Sequence, residues 1–319
     1  MIVIGIILYT LQLIQTAHAS FGDNSPYYQK CKEKCLLLNC TEDGLNFLNE
    51  YIPQPAYLKA LLWHCEDECK YECMWKTTEA FDRRNWRTPQ FHGKWPFIRV
   101  YGVQEPASVL FSLLNMYAHY TMFKRFKKSV RSDAPYYWLW LSFSAVCINA
   151  WIWSTIFHAR DLPFTEFMDY TCAFSIILMS CYCMSIRLLP VTRFYKLVIT
   201  ASFLAFFVNH VAYLSYGGFD YGYNMKVNII FATINVIFWF AWSMWNRRRQ
   251  PYLWKCAAFF SLTAFSTILE IFDFPPILWT FDSHALWHLS TAIICPLLYS
   301  FIIDDCTHLR KQEFLDKSA

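Results

Sequence analysis

From about residue 105 onward the chain carries seven apolar segments, each close to the roughly 20 residues a helix needs to cross the hydrocarbon of a bilayer. They fall near 105–123, 136–158, 166–186, 197–216, 226–245, 252–272 and 282–303. The rest of the sequence must be organised around that fact. Of 319 residues, 56% are hydrophobic and 16% charged, whereas a soluble domain carries about 25% charged residues. A single soluble globule, a disordered chain and a nucleic-acid binder are therefore poor fits, and the net charge of +4 sits in short clusters between apolar runs. The expected fold is an all-α membrane protein of seven transmembrane helices, covering residues 104–303.

Lys and Arg in the connections set the orientation. One alternate set of loops holds Lys124, Arg125, Lys127, Lys128 and Arg131, then Arg187, Arg193 and Lys196, then Arg247, Arg248, Arg249 and Lys255, then Arg310, Lys311 and Lys317. The other set holds only Arg160 and Lys226, so the count is fifteen against two. The basic loops and the tail, 304–319, are expected in the cytosol, and the N-terminal part in the lumen. The apolar run from Met1 ends in Ala17-His18-Ala19, a small-x-small pattern that reads as a signal peptide of residues 1–19, although it lacks the usual basic start. Arg83, Arg84, Arg87, Lys94 and Arg99 would then be lumenal against the charge rule, from which domains translocated behind a signal peptide are largely exempt.

Cysteine divides the chain. Six of 13 lie between 31 and 73, as Cys31, Cys35, Cys40 and Cys65, Cys69, Cys73, within an expected lumenal domain of residues 20–103. Spacings of four place cysteines on one helix face. Two such triplets on antiparallel helices would pair in nested order, Cys31–Cys73, Cys35–Cys69 and Cys40–Cys65, and the sequence leaves about 14 other connectivities open. A metal cluster is the competing reading, but an oxidising lumen favours disulfides. Asn39-Cys40-Thr41 is a glycosylation sequon, which would make the chain a glycoprotein, but its middle Cys makes Asn39 a doubtful acceptor.

Ionisable side chains within spans are costly and point to function. Under this topology Ser154 and His158 end the second span on the lumenal side, Asp169 lies one turn inside the third, and His284 and His288 begin the seventh. Three His and one Asp at one depth suit a catalytic zinc site: neutral imidazole is a good ligand, and the spacing of four aims two rings the same way. Three protein ligands leave a fourth position for water, with Asp169 and Ser154 placed to handle the proton and the oxyanion. Residue 285 is Ala, which rules out the HExxH pattern of metalloproteases. One membrane His alone is more often a packing hydrogen-bonder; His119 reads that way, and His210 is a weaker reserve ligand. Glu270 and Asp273 read as capping or loop residues, with lining of the same cavity as the alternative, and the Arg83, Arg84, Arg87 cluster as solvated surface, with a lipid phosphodiester as the alternative partner.

The set Ser154-x3-His158, Asp169 and His284-x3-His288 resembles the CREST superfamily of seven-span membrane hydrolases. The six-Cys domain, Phe157-His158-Ala159-Arg160-Asp161, Phe219-Asp220-Tyr221-Gly222-Tyr223-Asn224 and Asp273-Phe274-Pro275-Pro276 narrow the likeness. Together they resemble the post-GPI attachment to proteins factor 3 family of GPI-anchor remodelling phospholipases, over essentially the whole mature chain. The resemblance implies a Golgi membrane enzyme that removes the sn-2 acyl chain from the phosphatidylinositol of GPI-anchored proteins. It also implies Zn²⁺ on His158, His284 and His288, with Ser154 and Asp169 as catalytic residues. The last four residues, Asp316-Lys317-Ser318-Ala319, match neither KDEL nor a dilysine signal. Read from the residues alone, a ceramidase-like amidase and a non-catalytic receptor or scaffold with a structural His cluster remain alternatives.

Overall fold

The computed structural model describes residues 20–48, 54–189, 192–216 and 219–318. The expected signal peptide, 1–19, lies outside the described residues. Among these the regular structure is helical, with isolated bridges such as Phe91–Lys94 and Ile277–Phe281 as the only β-pairing.

The N-terminal region is a disulfide-stapled pair of helices. Helix α1 (Pro26–Asn39) starts where Ser25 accepts the Tyr28 N–H and Pro26 opens the first turn. A short α2 (Ala56–Ala60) follows, and α3 (Cys65–Asp82) begins with the Asp67 carboxylate accepting the His64 N–H at 3.0 Å. Cys31–Cys73, Cys35–Cys69 and Cys40–Cys65 join α1 to α3 antiparallel, in the nested order. All six cysteines are consumed, so the close approach of Cys40, Cys65 and Cys69 is covalent packing and leaves no thiolate set for a metal.

The remaining chain forms α4 (Pro106–Ser129), α5 (Tyr137–Ala159), α6 (Pro163–Leu188), α7 (Arg193–Ser215), α8 (Tyr221–Asn246), α9 (Trp254–Ser266), α10 (Ile268–Phe272) and α11 (Ser283–Ser318). Six stretches are long and apolar enough to cross a membrane: α5, α6, α7, α8, Pro251–Glu270 and α11. The chain is therefore a multi-pass membrane protein by the length and composition of its helices. Helix α4, with 24 residues, is long enough to span but less apolar, for a reason visible in its packing. Ser108, Ser112, Asn115 and His119 are buried, while Leu110, Leu113, Leu114 and Tyr117 are exposed.

The helices close a ring in which α11 packs on α4, α4 on α5, α5 on α6, α6 on α8, α8 on α9, and α9 back on α11, with α7 outside against α6. Aromatic packing fills one half, where Trp140, Trp239 and Phe301 meet. That half also buries Asp305, paired to Arg187 at 2.8 Å and to the Tyr252 hydroxyl at 2.8 Å. At the other end, the N-terminus of α4, the C-terminus of α5 and the N-termini of α6 and α11 meet beneath the disulfide hairpin.

The hairpin is fastened to this end by charge and aromatic contacts. Arg160, just after α5, donates to Asp67 at 2.7 Å and to the carbonyls of Leu61 and Leu62. Arg99 pairs with Glu68 at 2.8 Å. The Trp63 ring lies between these two guanidiniums, 3.3 Å from Arg99 and 3.6 Å from Arg160, a double cation–π contact.

Candidate metal centre

His158 sits on the last turn of α5, and His284 and His288 on the first two turns of α11, so that both elements present imidazoles at the end of the ring nearest the hairpin. The ring centroids lie 5.2 Å (His158–His284), 5.1 Å (His158–His288) and 4.5 Å (His284–His288) apart. One ring nitrogen from each lies within 4.8 Å of the others. These three side chains form a group able to hold a metal ion.

Each imidazole is also held from behind. His158 Nδ1 donates to Glu105 Oε2 at 2.6 Å, His284 Nδ1 donates to Glu270 Oε1 at 2.7 Å, and His288 Nδ1 meets Ser112 Oγ at 2.9 Å. A carboxylate can only accept, so the first two rings carry a hydrogen on Nδ1, which leaves Nε2 as the nitrogen that the neutral ring offers a metal. His158 Nε2 is buried with no hydrogen-bond partner among the described residues, an arrangement costly for a polar atom unless an ion faces it. His288 and His284 bring their Nε2 atoms to 2.9 Å. Nδ1 bound outward to a carboxylate or hydroxyl and Nε2 turned inward is the outer-shell pattern of protein metal sites. The donor set fits a divalent ion such as zinc.

Glu105 and Ser112 are absent from the sequence reading. Glu105 is 4% exposed at the start of α4, and it is shared between His158 and Lys94, whose ammonium lies 2.6 Å from Glu105 and 2.8 Å from the Asp161 carboxylate. Burial alone would lower the Lys94 pKa, but the facing carboxylates of Glu105 and Asp161 outweigh it and hold the ammonium well above its ordinary value. A positive charge thus stands permanently behind Glu105. Glu270 takes the alternative role of lining the histidine site, its carboxylate meeting His284 Nδ1 at the end of the stretch Pro251–Glu270. Asp273 does take the loop role, accepting from Trp95 Nε1 at 2.7 Å and Gln90 Nε2 at 2.9 Å.

Ser154 is buried beside the cluster, with its hydroxyl 3.1 Å from Ser112 Oγ. Asp169 is half-buried on α6 and makes no hydrogen bond to the three imidazoles. His119 and His210 are elsewhere: His119 Nδ1 meets the Tyr299 hydroxyl at 3.1 Å, and His210 packs on Phe174 at 4.2 Å, on the helix outside the ring. The cluster is thus three imidazoles, two outer carboxylates and two coupled hydroxyls.

Residues 55–306 match the Per1-like family. The chain is 44% identical over 302 residues to the Drosophila melanogaster protein named post-GPI attachment to proteins factor 3, covering 93% of each chain. It is 43% identical over 298 residues to the Danio rerio protein named GPI-specific phospholipase A2-like PGAP3, covering 93% of this chain and 94% of the relative. With the Homo sapiens protein of that name, the identity is 41% over 299 residues, covering 93% and 92%. No solved structure matches the chain. With one end of its helical ring built around three imidazoles and its relatives aligned over nearly their whole length, this chain belongs to the Per1-like family.

Proposed function

We propose that the protein is a zinc-dependent hydrolase of the phospholipase A2 type that removes the sn-2 acyl chain from the phosphatidylinositol of GPI-anchored proteins. In this reading it crosses the Golgi membrane seven times, α4 included, with the disulfide domain (residues 20–103) and the metal centre on the lumenal side and the residues after 303 on the cytosolic side. The observation that carries the proposal is the centre itself, in which three imidazoles turn Nε2 inward and are braced at Nδ1 by Glu105, Glu270 and Ser112. The printed names of the relatives supply the substrate class.

His158, His284 and His288 would hold the ion. When bound, zinc would supply Lewis-acid polarisation of the ester and lower the pKa of water near neutrality. The side chains do the rest. Glu105 and Glu270 fix the tautomers of His158 and His284 and stop the rings from turning. Because His288 Nε2 faces inward, its Nδ1–H donates to Ser112 Oγ; the Ser112 hydroxyl then donates to Ser154 Oγ, and the Ser154 hydrogen is left to donate to the carbonyl oxygen as it gains charge. Asp169 takes a proton from the attacking water and returns it to the leaving glycerol oxygen. Placing this apparatus one or two turns inside the helix ends sets it near the depth of an ester carbonyl below the headgroups.

Purified full-length protein, given a GPI lipid labelled in the sn-2 chain, should release that fatty acid, and should contain near-stoichiometric zinc. His288→Ala should lose both at normal abundance. Release from ceramide but not from the GPI lipid would redirect the assignment to an amidase, and undiminished remodelling by His288→Ala would end the enzyme reading.

A further inference from the structure

Outside the helical ring, between the disulfide hairpin and the loop that precedes α11, lies an open cavity of about 670 Å³ that the metal centre does not use. Its walls include Phe21, Trp86, Trp95, Arg87, Gln90 and Asp273. Trp86 is 51% exposed toward this cavity, and its ring is braced edge-on by Phe81 at 5.1 Å. Arg84 lies over the same ring at 5.5 Å. Asp273 closes the cavity with a φ of +28°, a strained value for a non-glycine residue, and is held there by Trp95 and Gln90. Strain kept by deliberate bonding is characteristic of ligand sites. Each carboxylate oxygen of Asp273 accepts one of these bonds and has a lone pair left.

We propose that this cavity binds the sugar–inositol phosphate headgroup of a glycolipid substrate. Flat indole faces suit the apolar faces of sugar rings, the Asp273 carboxylate suits hydroxyls and a protonated amino sugar, and the Arg87 guanidinium suits phosphate. An acyl chain is the wrong occupant, because a carboxylate and a guanidinium line the walls. Position adds a further argument. Asp273 is three residues after Glu270, which braces His284, so its Cα is within about 11 Å of the Cα of a residue that touches the metal-ligand shell. A headgroup seated in the cavity would hold the ester of the same molecule near the centre, so that binding far from the reacting bond is used to orient it. The inference rests on the lipid-hydrolase reading and adds what that reading leaves open, the means by which a glycosylated lipid is chosen over plain phosphatidylinositol.

The test uses full-length protein in detergent micelles with two sn-2-labelled lipids of matched acyl chains, a GPI lipid and phosphatidylinositol. A second measurement follows binding of glucosaminyl-inositol phosphate, a soluble headgroup fragment, by saturation-transfer NMR. Wild type should prefer the GPI lipid and bind the fragment. Trp86→Ala and Asp273→Asn should cut the ratio of kcat/KM values between the two lipids about tenfold and weaken fragment binding to a similar degree, while Trp86→Phe, which keeps an aromatic face, should lose far less. An unchanged ratio with unchanged fragment binding overturns the proposal. So does an equal fall on both lipids with weaker adsorption to phosphatidylcholine vesicles, which would make Trp86 a membrane-docking residue. If wild type hydrolyses neither lipid, the hydrolase reading fails, and fragment binding lost in Trp86→Ala still decides the cavity.

Discussion

Glu105 is the residue on which the proposed centre leans most heavily. It is buried, bonded to His158 on one side and paired with Lys94 on the other, so the chain Lys94–Glu105–His158 runs from the disulfide region to an imidazole that faces the cluster. Glu105→Gln keeps the shape but removes the charge, and the amide can satisfy neither neighbour as well. Outer-shell losses of this kind cost about 10–100-fold in metal affinity. The expected result is a protein of normal abundance and helicity that loses zinc to a competing chelator at correspondingly lower chelator concentration; unchanged retention of zinc would show that Glu105 does not brace the site. His158, His284 and His288 were legible in the sequence because spacings of four and matched depth are visible along one chain. Glu105 and Ser112 were not, being 53 and 176 residues from the rings they touch, and no local pattern says which faces of distant helices meet. A faint signal for Ser112 existed: Ser108, Ser112, Asn115 and His119 form a polar stripe at helical spacing inside an otherwise apolar run.

At the scale of elements, spacing carried the disulfide hairpin well. The near-constant sum of paired positions needs only two antiparallel helices, and α1 and α3 supply them. Nesting also orders the bonds by consequence. Cys40–Cys65 closes a separation of 25 residues, so its removal frees the whole inner loop and should cost about 3.5 kcal/mol on chain-entropy grounds. Cys31–Cys73 spans 42 residues, but with Cys35–Cys69 intact it closes only the small ring outside that bond and should cost about 2.5 kcal/mol. Pairwise Cys→Ala replacement in the full chain, followed by proteolysis of the N-terminal region in increasing urea, should rank the inner pair as the more damaging; the reverse order would contradict the nested-loop account. The segment expected at 252–272 is likewise one stretch, Pro251–Glu270, long and apolar enough to cross a membrane, and Glu270 at its end reaches His284. Hydropathy reports how apolar a stretch is and does not say which distant side chain its last carboxylate meets.

For the whole molecule, the distribution of polarity separates a membrane-spanning ring from a soluble bundle. A soluble helix hides its apolar side, but α4 buries Ser112 and Asn115 and exposes Leu110, Leu113 and Tyr117. Its 24 residues would measure about 36 Å, more than the roughly 30 Å of hydrocarbon. In water that arrangement would leave an apolar stripe bare; in lipid it is the favourable one, with polar groups bonded inside the ring, such as Asn115 to the His288 carbonyl at 2.6 Å. Counting α4 as a span makes the number of crossings odd, so the disulfide domain and the end of α11 must lie on opposite sides. Leaving it out makes the number even and places both on the same side, so that a lumenal disulfide domain would carry Arg247, Arg248 and Arg249 into the lumen together with Arg310 and Lys311, against the charge rule. Two reporters separate these cases. A glycosylation acceptor inserted beside Asp220 should be modified while one inserted at Arg248 should not, and a C-terminal tag should be digested by protease in cells whose plasma membrane alone has been opened. A protected tag together with a protected disulfide domain would remove α4 from the membrane and take the lumenal placement of His158, beside its first turn, with it.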